Sequence, residues 1–269
     1  MATAWEVVAG RATNPAALTA LTANTGDGSF AIKNFDLAQQ AFIEGVWAQS
    51  ATAGVVRLRS SKLHDQVQAI RFRTIAATIR NFFADGLRQR IFPNDVLTFE
   101  IQGGGAETDS AAYLAYYGDL PGPTSRFATW DQIKDSIVAI LVQEVAVANP
   151  TVAGDWSAGT ALNATFDTMI ANQDYALLGY QTDTNVLCVG LRGIDTANLR
   201  VGGPGPVESI ETRDWFVGLS EATGKPHIPI INQANRAATL AFVSQNGTGG
   251  TTNVGFALAQ LAPGAVRLG

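Results

Sequence analysis

The chain has 269 residues, of which 46% are hydrophobic and only 15% are charged, and its formal net charge is −5. Soluble proteins average roughly 25% charged residues, so a surface this poor in charge favours association with other subunits. No stretch approaches the ~20 uninterrupted apolar residues of a membrane span, and the first residues lack the basic region and apolar core of an export signal. The one cysteine, Cys188, excludes an internal disulfide.

From the N-terminus onward, the sequence predicts short β-strands. Residues 1–29 are rich in Thr, Ala and Asn and are interpreted as an N-terminal arm, or as a strand followed by a loop. Apolar runs punctuated by Gly, Ser, Asn or Asp then predict strands of the kind found in sandwiches. These predicted strands cover residues 30–35, 41–49, 54–59 and 67–72.

Two segments interrupt this β pattern with a helical one. Between residues 75 and 87 the apolar side chains recur on one helix face. Thr129, followed three residues later by Gln132, forms a capping-box pattern that predicts a helix over residues 130–149. The later part of this segment, residues 142–147, is rich in β-branched side chains, so a strand is the alternative prediction there.

The second half of the chain repeats a pattern of the first. Residues 97–117 and 240–260 each contain a Leu-x-Phe run, a glycine turn and a second apolar stretch, and are expected to form matching hairpins. A fainter echo relates residues 45–59 to residues 179–192. Two matched pairs in the same order indicate a duplicated β domain, with chance similarity as the alternative. When the chain is aligned with itself at a shift of 143 positions, Tyr113 aligns with Phe256. Five other residues align with identical ones: Leu97, Phe99, Gln102, Gly104 and Thr108.

The predicted fold class is all-β and mainly antiparallel, with two tandem jelly-roll-like β-sandwiches, a helical connector and one additional amphipathic helix. The predicted divisions are an N-terminal arm (1–29), a first β-sandwich (30–122), the helical connector (123–164) and a second β-sandwich (165–269).

Residues that usually carry catalysis are sparse and scattered. His64 is expected in a surface turn, and His227, between two prolines, in an extended surface or interface segment at 225–229. Cys188 lies in an apolar run and is expected to be a buried, inert thiol. No zinc-ligand spacing, nucleophile elbow or phosphate-binding loop occurs. We therefore expect no catalytic site, no metal site and no cofactor.

Positive charge is concentrated in residues 57–90, which carry a net charge of +6, so the remainder carries −11. On the predicted helix, Arg73, Arg80 and Arg88 share a side opposite the apolar face. This pattern predicts a basic surface that contacts phosphate. The alternative is a solvated helix face, or pairing with the carboxylates of a neighbouring subunit.

Two sandwiches, a connector, no active site and few charges form the pattern of a building block. Over residues 30–264 the chain resembles the double jelly-roll major coat proteins of icosahedral viruses and tailless phages. The resemblance implies a structural coat (major capsid) protein that forms homotrimeric capsomers and contacts itself and other virion proteins. It implies location in the virion after synthesis in the host cytoplasm. Arg73, Arg80 and Arg88 would then face the particle interior, toward packaged nucleic acid or an internal membrane.

Other functions compete with the coat protein. A glycan- or ligand-binding β-sandwich module would use exposed Trp47, Trp156 or Trp215 as a stacking platform. The repeats are compact for the coat-protein family, so another phage structural protein stays open. A carboxylate-dependent hydrolase is the remaining alternative.

Overall fold

The computed structural model describes residues 2–31, 41–60, 70–74, 78–82, 89–92, 95–120, 126–205 and 212–265. In the first half the strands are β1 (Ala2–Thr13), β2 (Thr19–Ala20), β3 (Thr22–Ala23), β4 (Ala41–Ser50), β5 (Gly54–Arg59), β6 (Ile70–Thr74), β7 (Thr78–Phe82), β8 (Gln89–Ile91), β9 (Thr98–Gln102) and β10 (Thr108–Leu120). In the second half they are β11 (Phe127–Ala128), β12 (Ile137–Ala148), β13 (Thr160–Ala161), β14 (Asp174–Thr182), β15 (Cys188–Arg192), β16 (Val201–Pro204), β17 (Ile228–Asn232), β18 (Leu240–Ser244) and β19 (Thr251–Leu261). The helices are α1 (Trp130–Ile133) and α2 (Trp215–Thr223). The predicted all-β class is confirmed.

Each half of the chain forms the same two-sheet arrangement. The first half has one sheet in the order β3-β1-β10-β4-β7, with β8 also on β4, and one in the order β2-β9-β5-β6. The second half has the orders β11-β17-β14-β19-β12 and β13-β18-β15-β16. If the extra strands β3 and β11 are left out and β7 and β8 are counted as one strand, each half has eight strands. When these are numbered from 1 to 8 within each half, the two sheets have the orders 1-8-3-6 and 2-7-4-5. This is a jelly roll, in which the first strand lies beside the last.

The register repeats along with the topology. A one-residue bulge interrupts the pairing of β4 with β10 at Glu44, and a matching bulge interrupts the pairing of β14 with β19 at Leu178. The bulges face Leu114–Ala115 and Ala257–Leu258, which are related by the 143-residue shift seen in the sequence. Because bulges are retained features of a family fold, this agreement supports duplication over chance similarity.

The two aligned Leu-x-Phe segments occupy equivalent places, but neither is a hairpin. β9 pairs with β2 and β5, whereas β10 pairs with β1 and β4, so the glycine turn crosses between sheets. β18 and β19 are separated in the same way. Phe99 packs on Phe30 and Tyr113 inside the first sandwich, while Phe242 lies under the guanidinium group of Arg200. The matched phenylalanines therefore do not share one side-chain environment.

Both predicted helices are wrong where the structure describes them. Residues 78–82 form β7, and the rest of the segment at 75–87 lies outside the described residues. The capping box at Thr129 and Gln132 is confirmed, but α1 ends at Ile133 and β12 replaces most of the rest of the predicted helix, including residues 142–147, where a strand was the alternative. The β-branched side chains of this segment and its long ladder with β19 outweigh the local helical periodicity.

The segment predicted as an N-terminal arm contains a central strand instead. β1 lies between β3 and β10, and residues 4–9 are buried on both faces. This burial explains why the sequence there is apolar at every position but Glu6 rather than alternating. The interpretation as a strand followed by a loop is the one that the structure supports.

One hydrophobic core runs through both sandwiches. The sheet of β1 and β4 packs one face on β9 and β5, through Tyr113 and Phe99. Its other face contacts the second half of the chain, where the ring of Trp5 lies 5.5 Å from that of Phe216. There the indole of Trp47 donates to the Leu187 carbonyl at 3.0 Å. We call this contact between the sandwiches the junction.

Two of the three buried tyrosines of β10, Tyr113 and Tyr117, allow a test of this packing. The Tyr113 hydroxyl is buried and has no hydrogen-bond partner among the described residues, and its counterpart Phe256 has no hydroxyl. Tyr113→Phe should therefore leave the unfolding free energy unchanged or raise it by up to about 1 kcal/mol. The Tyr117 hydroxyl donates to Glu6 Oε1 at 2.7 Å, so Tyr117→Phe should cost about 1–3 kcal/mol. Urea denaturation of both variants measures the difference; equal losses would contradict the prediction.

Candidate functional site

The three arginines predicted to form one basic helix face do not lie on a helix. Arg73 is on β6, and Arg80 is on β7, in register with Ala48 of the other sheet of the first sandwich. Arg88 lies outside the described residues. The proposed role of these arginines in facing phosphate stays a prediction.

Arg73 belongs instead to a group of arginines on the sheet of β9, β5 and β6. Val56 and Leu58 of β5 point into the core, so Arg57 and Arg59 point to the opposite face. The register places Arg71 directly opposite Arg57 on the neighbouring strand. This surface, which points away from the junction, is named the arginine face: Arg57, Arg59, Arg71 and Arg73.

One carboxylate offsets part of this charge. Glu100 on β9 accepts from Arg57 Nε at 2.6 Å and from Arg59 Nε at 3.1 Å. Arg71 and Arg73 are exposed and form no ion pair among the described residues. Over the residues that the structure describes, the face therefore carries three net positive charges, and like charges directly across two strands are destabilising. An unbalanced arrangement of this kind favours a role in contact with an anionic group outside the subunit.

The pKa of Glu100 reflects the two arginines. Burial raises it, but the hydrogen bonds and charges of Arg57 and Arg59 outweigh burial, so the pKa lies below its usual value of 4.5. A carboxyl whose pKa is depressed by folding stabilises the protein above its unfolded-state pKa. That contribution is lost as the pH falls through the folded-state value.

Replacement of Glu100 by glutamine tests this electrostatic balance. At pH 7 the variant should lose about 1–3 kcal/mol of unfolding free energy, because two charge-assisted hydrogen bonds are weakened. The difference from the wild type should shrink as the pH falls below 4.5, where the wild-type carboxylate takes up a proton. Denaturation curves from pH 7 to pH 3 measure it, and a constant difference would show that the charge of Glu100 is irrelevant.

A second surface lies on β12, the edge strand of its sheet. Three side chains at alternate positions are exposed although apolar: Val138 at 62%, Ile140 at 61% and Val142 at 50%. This group is named the apolar edge. Phe166 is also exposed and lies alongside, since its carbonyl accepts from the side chain of Gln143 on β12. Natural proteins protect long edge strands with Lys, Pro or a covering segment, and the apolar edge has neither of those residues.

The backbone of β12 is open along this stretch. Ala146 N donates to Thr165 Oγ1 at 2.8 Å, away from β19, so alternate backbone groups of β12 point outward. Among the described residues, no hydrogen bond from outside the β19 ladder reaches the backbone of Ile140, Val142 or Glu144. The edge therefore combines free donors and acceptors with exposed aliphatic side chains.

Two further polar clusters are buried in the junction. The Arg200 guanidinium pairs with Asp27 and lies 4.5 Å above the ring of Trp156. His227 Nε2 lies 2.6 Å from Glu44 Oε2, and both side chains are fully buried. These groups hold the two sandwiches together and are closed to a substrate from solvent.

The residues expected to serve the alternative functions fall in the same interior. Trp47 and Trp156 are buried, and Trp215 is half-buried with its indole donating to the Gly202 carbonyl at 3.2 Å. The predicted exposed tryptophan platform is therefore wrong.

Cys188 is buried as expected, and burial raises the pKa of its thiol well above the usual value. The extended surface or interface position expected for His227 is wrong, because this side chain is fully buried against Glu44 of the same chain.

Over the described ranges, no group of three or more His, Cys, Asp or Glu side chains has a metal-binding arrangement. In the same part of the chain, no helix is both long and apolar enough to cross a bilayer.

Comparison with known proteins finds similarity among solved structures but not among family models or curated sequences. No protein-family model matches the chain, and no curated protein matches its sequence. Among solved structures the chain is similar to the PBSX exported protein XepA, at 11% identity and a TM-score of 0.21. The similarity covers 93% of this chain and 88% of that one. A TM-score this low supports no argument about function.

Sequence reasoning missed the apolar edge because it assigned that segment to a helix. The signal was present in the alternation of Val138, Ile140 and Val142, which has the period of a strand. The arginine face was partly anticipated, since its members all lie in the basic stretch at 57–90. The pairing of Arg57 and Arg59 with Glu100 needs the register of β5 on β9 and has no local signal.

Proposed function

We propose that the chain is a non-catalytic structural subunit that self-assembles, and that it does so through β12. The observation that carries this proposal is the apolar edge, in which three exposed aliphatic side chains lie on the edge strand β12 beside the open backbone positions of Ile140 and Val142. A second copy of the chain satisfies both the free backbone groups and the apolar surface.

More specifically, we propose that the chain is the coat protein of a viral or phage shell. It would be located in the virion, and the shell would be built from trimers of the chain. Two tandem jelly rolls support it, since jelly rolls are frequent in viral capsids. Trimers of a double jelly roll bring six similar units around one axis. The low content of charged residues, 15%, also favours large subunit contacts. Other virion proteins, and packaged nucleic acid or an internal membrane, belong to this proposal as partners.

The alternative functions lack comparable support. A glycan-binding module was predicted from exposed tryptophans, and two of the three are buried. A carboxylate-dependent hydrolase needs a pair of accessible acids, and Asp27 and Glu44 do not supply one, because both lie in the junction, bonded to Arg200 and His227.

The test is assembly of a variant with two lysines on the apolar edge. The wild type should form oligomers in size-exclusion chromatography with light scattering, and rings or shells in electron micrographs. Ile140→Lys combined with Val142→Lys should yield monomers, because two ammonium groups would be desolvated at the contact. The fold should survive, since both side chains point to solvent in the isolated subunit.

Ile194→Lys is the matched control. Ile194 is exposed to 59%, close to the 61% of Ile140, but it lies in a short 3₁₀ turn away from β12. This variant should assemble like the wild type. A wild type that stays monomeric at high concentration would refute the proposal, as would assembly of the two-lysine variant with unchanged mass.

A further inference from the structure

Two loops meet at one end of the first jelly roll. Residues 51–53 join β4 to β5, and residues 103–107 join β9 to β10. The loops and the adjoining strand ends bring together four side chains that offer oxygen atoms: Ser50, Thr52, Glu107 and Asp109. We name this group the oxygen cluster.

Asp109 is fully buried in the cluster, yet its carboxylate lacks hydrogen bonds. The side chain is 0% exposed, and neither Oδ1 nor Oδ2 has a hydrogen bond of good geometry among the described residues. The neighbouring hydroxyl of Ser50 donates to the Thr52 carbonyl at 2.8 Å. Thr52 Oγ1 is buried without a partner as well. Three buried oxygen atoms in one place are thus unbonded, which is rare in native proteins.

No positive side chain offsets the charge of the cluster. Glu107 and Asp109 form no ion pair among the described residues. Burial raises the pKa of Asp109, and the charge of Glu107 raises it further. The hydroxyl of Ser50 and the N–H groups of Ala51 and Gly104 offset this only in part, so the pKa lies above its usual value of 3.8. Two neighbouring carboxylates of this kind favour a cation from outside the chain.

The glycine turn lets the two loops approach closely. A Cβ atom on Gly103 would overlap Asp109 Oδ2, and one on Gly104 would overlap Glu107 Oε1. The same Cβ atom on Gly104 would lie 3.1 Å from Thr52 Oγ1. Carboxylate and hydroxyl oxygens of both loops therefore crowd around one short piece of backbone.

The second jelly roll holds no such charge at the equivalent place. At the shift of 143 positions Asp109 aligns with Thr252, and a glycine takes the place of Glu107. Thr252 is equally buried, but its Oγ1 donates to Asn149 Oδ1 at 2.7 Å and accepts from Gln245 Nε2 at 3.2 Å. A neutral, hydrogen-bonded hydroxyl suits this position, so the fold itself does not require a buried acid there.

We infer that the oxygen cluster binds a divalent cation of the calcium class, held by the carboxylates of Glu107 and Asp109. Ca²⁺ takes oxygen ligands in flexible geometry and combines carboxylates with carbonyl groups and water, so two acids suffice. The cluster has no His or Cys side chain, which disfavours zinc and other transition metals. This departs from the expectation, drawn from the sequence, of no metal site.

A bound cation would compensate the buried charge and tie the loop after β4 to the loop before β10. The stabilisation acts within one subunit, so the inference goes beyond the proposed function and does not depend on self-assembly.

Thermal unfolding with and without Ca²⁺ tests the site. Sites with few charged ligands have dissociation constants of about 10⁻⁴–10⁻³ M. About 10 mM Ca²⁺, added to protein freed of metal with EDTA, should therefore raise the Tm by about 3–10 °C. Mg²⁺ at the same concentration should raise it less, because Mg²⁺ demands octahedral geometry and dehydrates reluctantly. Titration calorimetry should find one Ca²⁺ per chain.

Asp109→Asn and Glu107→Gln remove a charge and keep the shape of the side chain. Each should weaken Ca²⁺ binding at least about tenfold, because affinity follows the number of charged ligands, and each should nearly abolish the Tm shift. In EDTA, Asp109→Asn should unfold at the same temperature as the wild type or a higher one, because an uncompensated buried charge is removed. Glu107 is only partly buried, so Glu107→Gln keeps the test valid if Asp109→Asn does not fold.

Asp183→Asn is the matched control. Asp183 lies at an exposed turn and already accepts from the backbone and side chain of Asn253, at 3.0 and 2.7 Å. This variant should lose the same stability in EDTA and in Ca²⁺ and should keep the Ca²⁺-dependent shift of the wild type.

The outcomes separate this inference from the proposed function. A wild type with no Ca²⁺-dependent shift and no heat of binding would overturn the inference, as would a shift that Glu107→Gln and Asp109→Asn retain. If the chain stays monomeric but binds Ca²⁺ through these two acids, the proposed function fails and the inference stands. If it assembles without any response to Ca²⁺, the reverse holds.

Discussion

The position of one jelly roll on the other depends on a buried guanidinium group. The side chain of Arg200 is 5% exposed, pairs with Asp27 and is stacked between the rings of Trp156 and Phe242 at 4.5 and 4.7 Å. Burial lowers the pKa of Arg200 and raises that of Asp27 to about 6, so removal from water is the largest effect on both. A buried ion pair adds little net stability, but loss of one partner leaves an uncompensated charge. The pair therefore tolerates only one placement of the two sandwiches.

This requirement extends into the sheets that meet at the junction. A Cβ atom at Gly190 would lie 2.8 Å from Cγ of Arg200, so only glycine lets the arginine side chain approach β15. Its partner Asp27 also accepts from the indole of Trp156 at 2.7 Å and from the backbone of Ala9 on β1 at 3.0 Å. The acid thus joins the first strand of the first jelly roll to the loop between β12 and β13 of the second.

The sequence predicts the structure correctly where a pattern is local or repeated. It predicts the structure wrongly where pairing with residues far along the chain decides the outcome. The strands at 41–49 and 54–59, the duplication and the capping box at Thr129 all follow from spacing along the chain and are confirmed. The helix expected over residues 130–149 is wrong because pairing with β19, more than 100 residues away, decides that segment. The bulge at Glu44 places a carboxylate against His227, and no local signal predicts a contact between residues so far apart. Phe99 and Phe242 match in sequence yet differ in surroundings, since the turns after β9 and β18 differ in length.

The burial of Trp5 and Trp47 by the second jelly roll has a consequence for synthesis of the chain. The first jelly roll closes when β10 reaches β1, once residue 120 has been made, but the two indoles stay exposed until Phe216, Leu187 and His227 are available. At ~5–20 residues per second, these roughly 100 further residues take about 5–20 s to translate. During that interval a folded half-molecule displays an aromatic surface beside an uncovered strand edge. Nascent chains on neighbouring ribosomes would present the same surface, so polysome spacing and chaperone access govern the yield of correctly joined subunits.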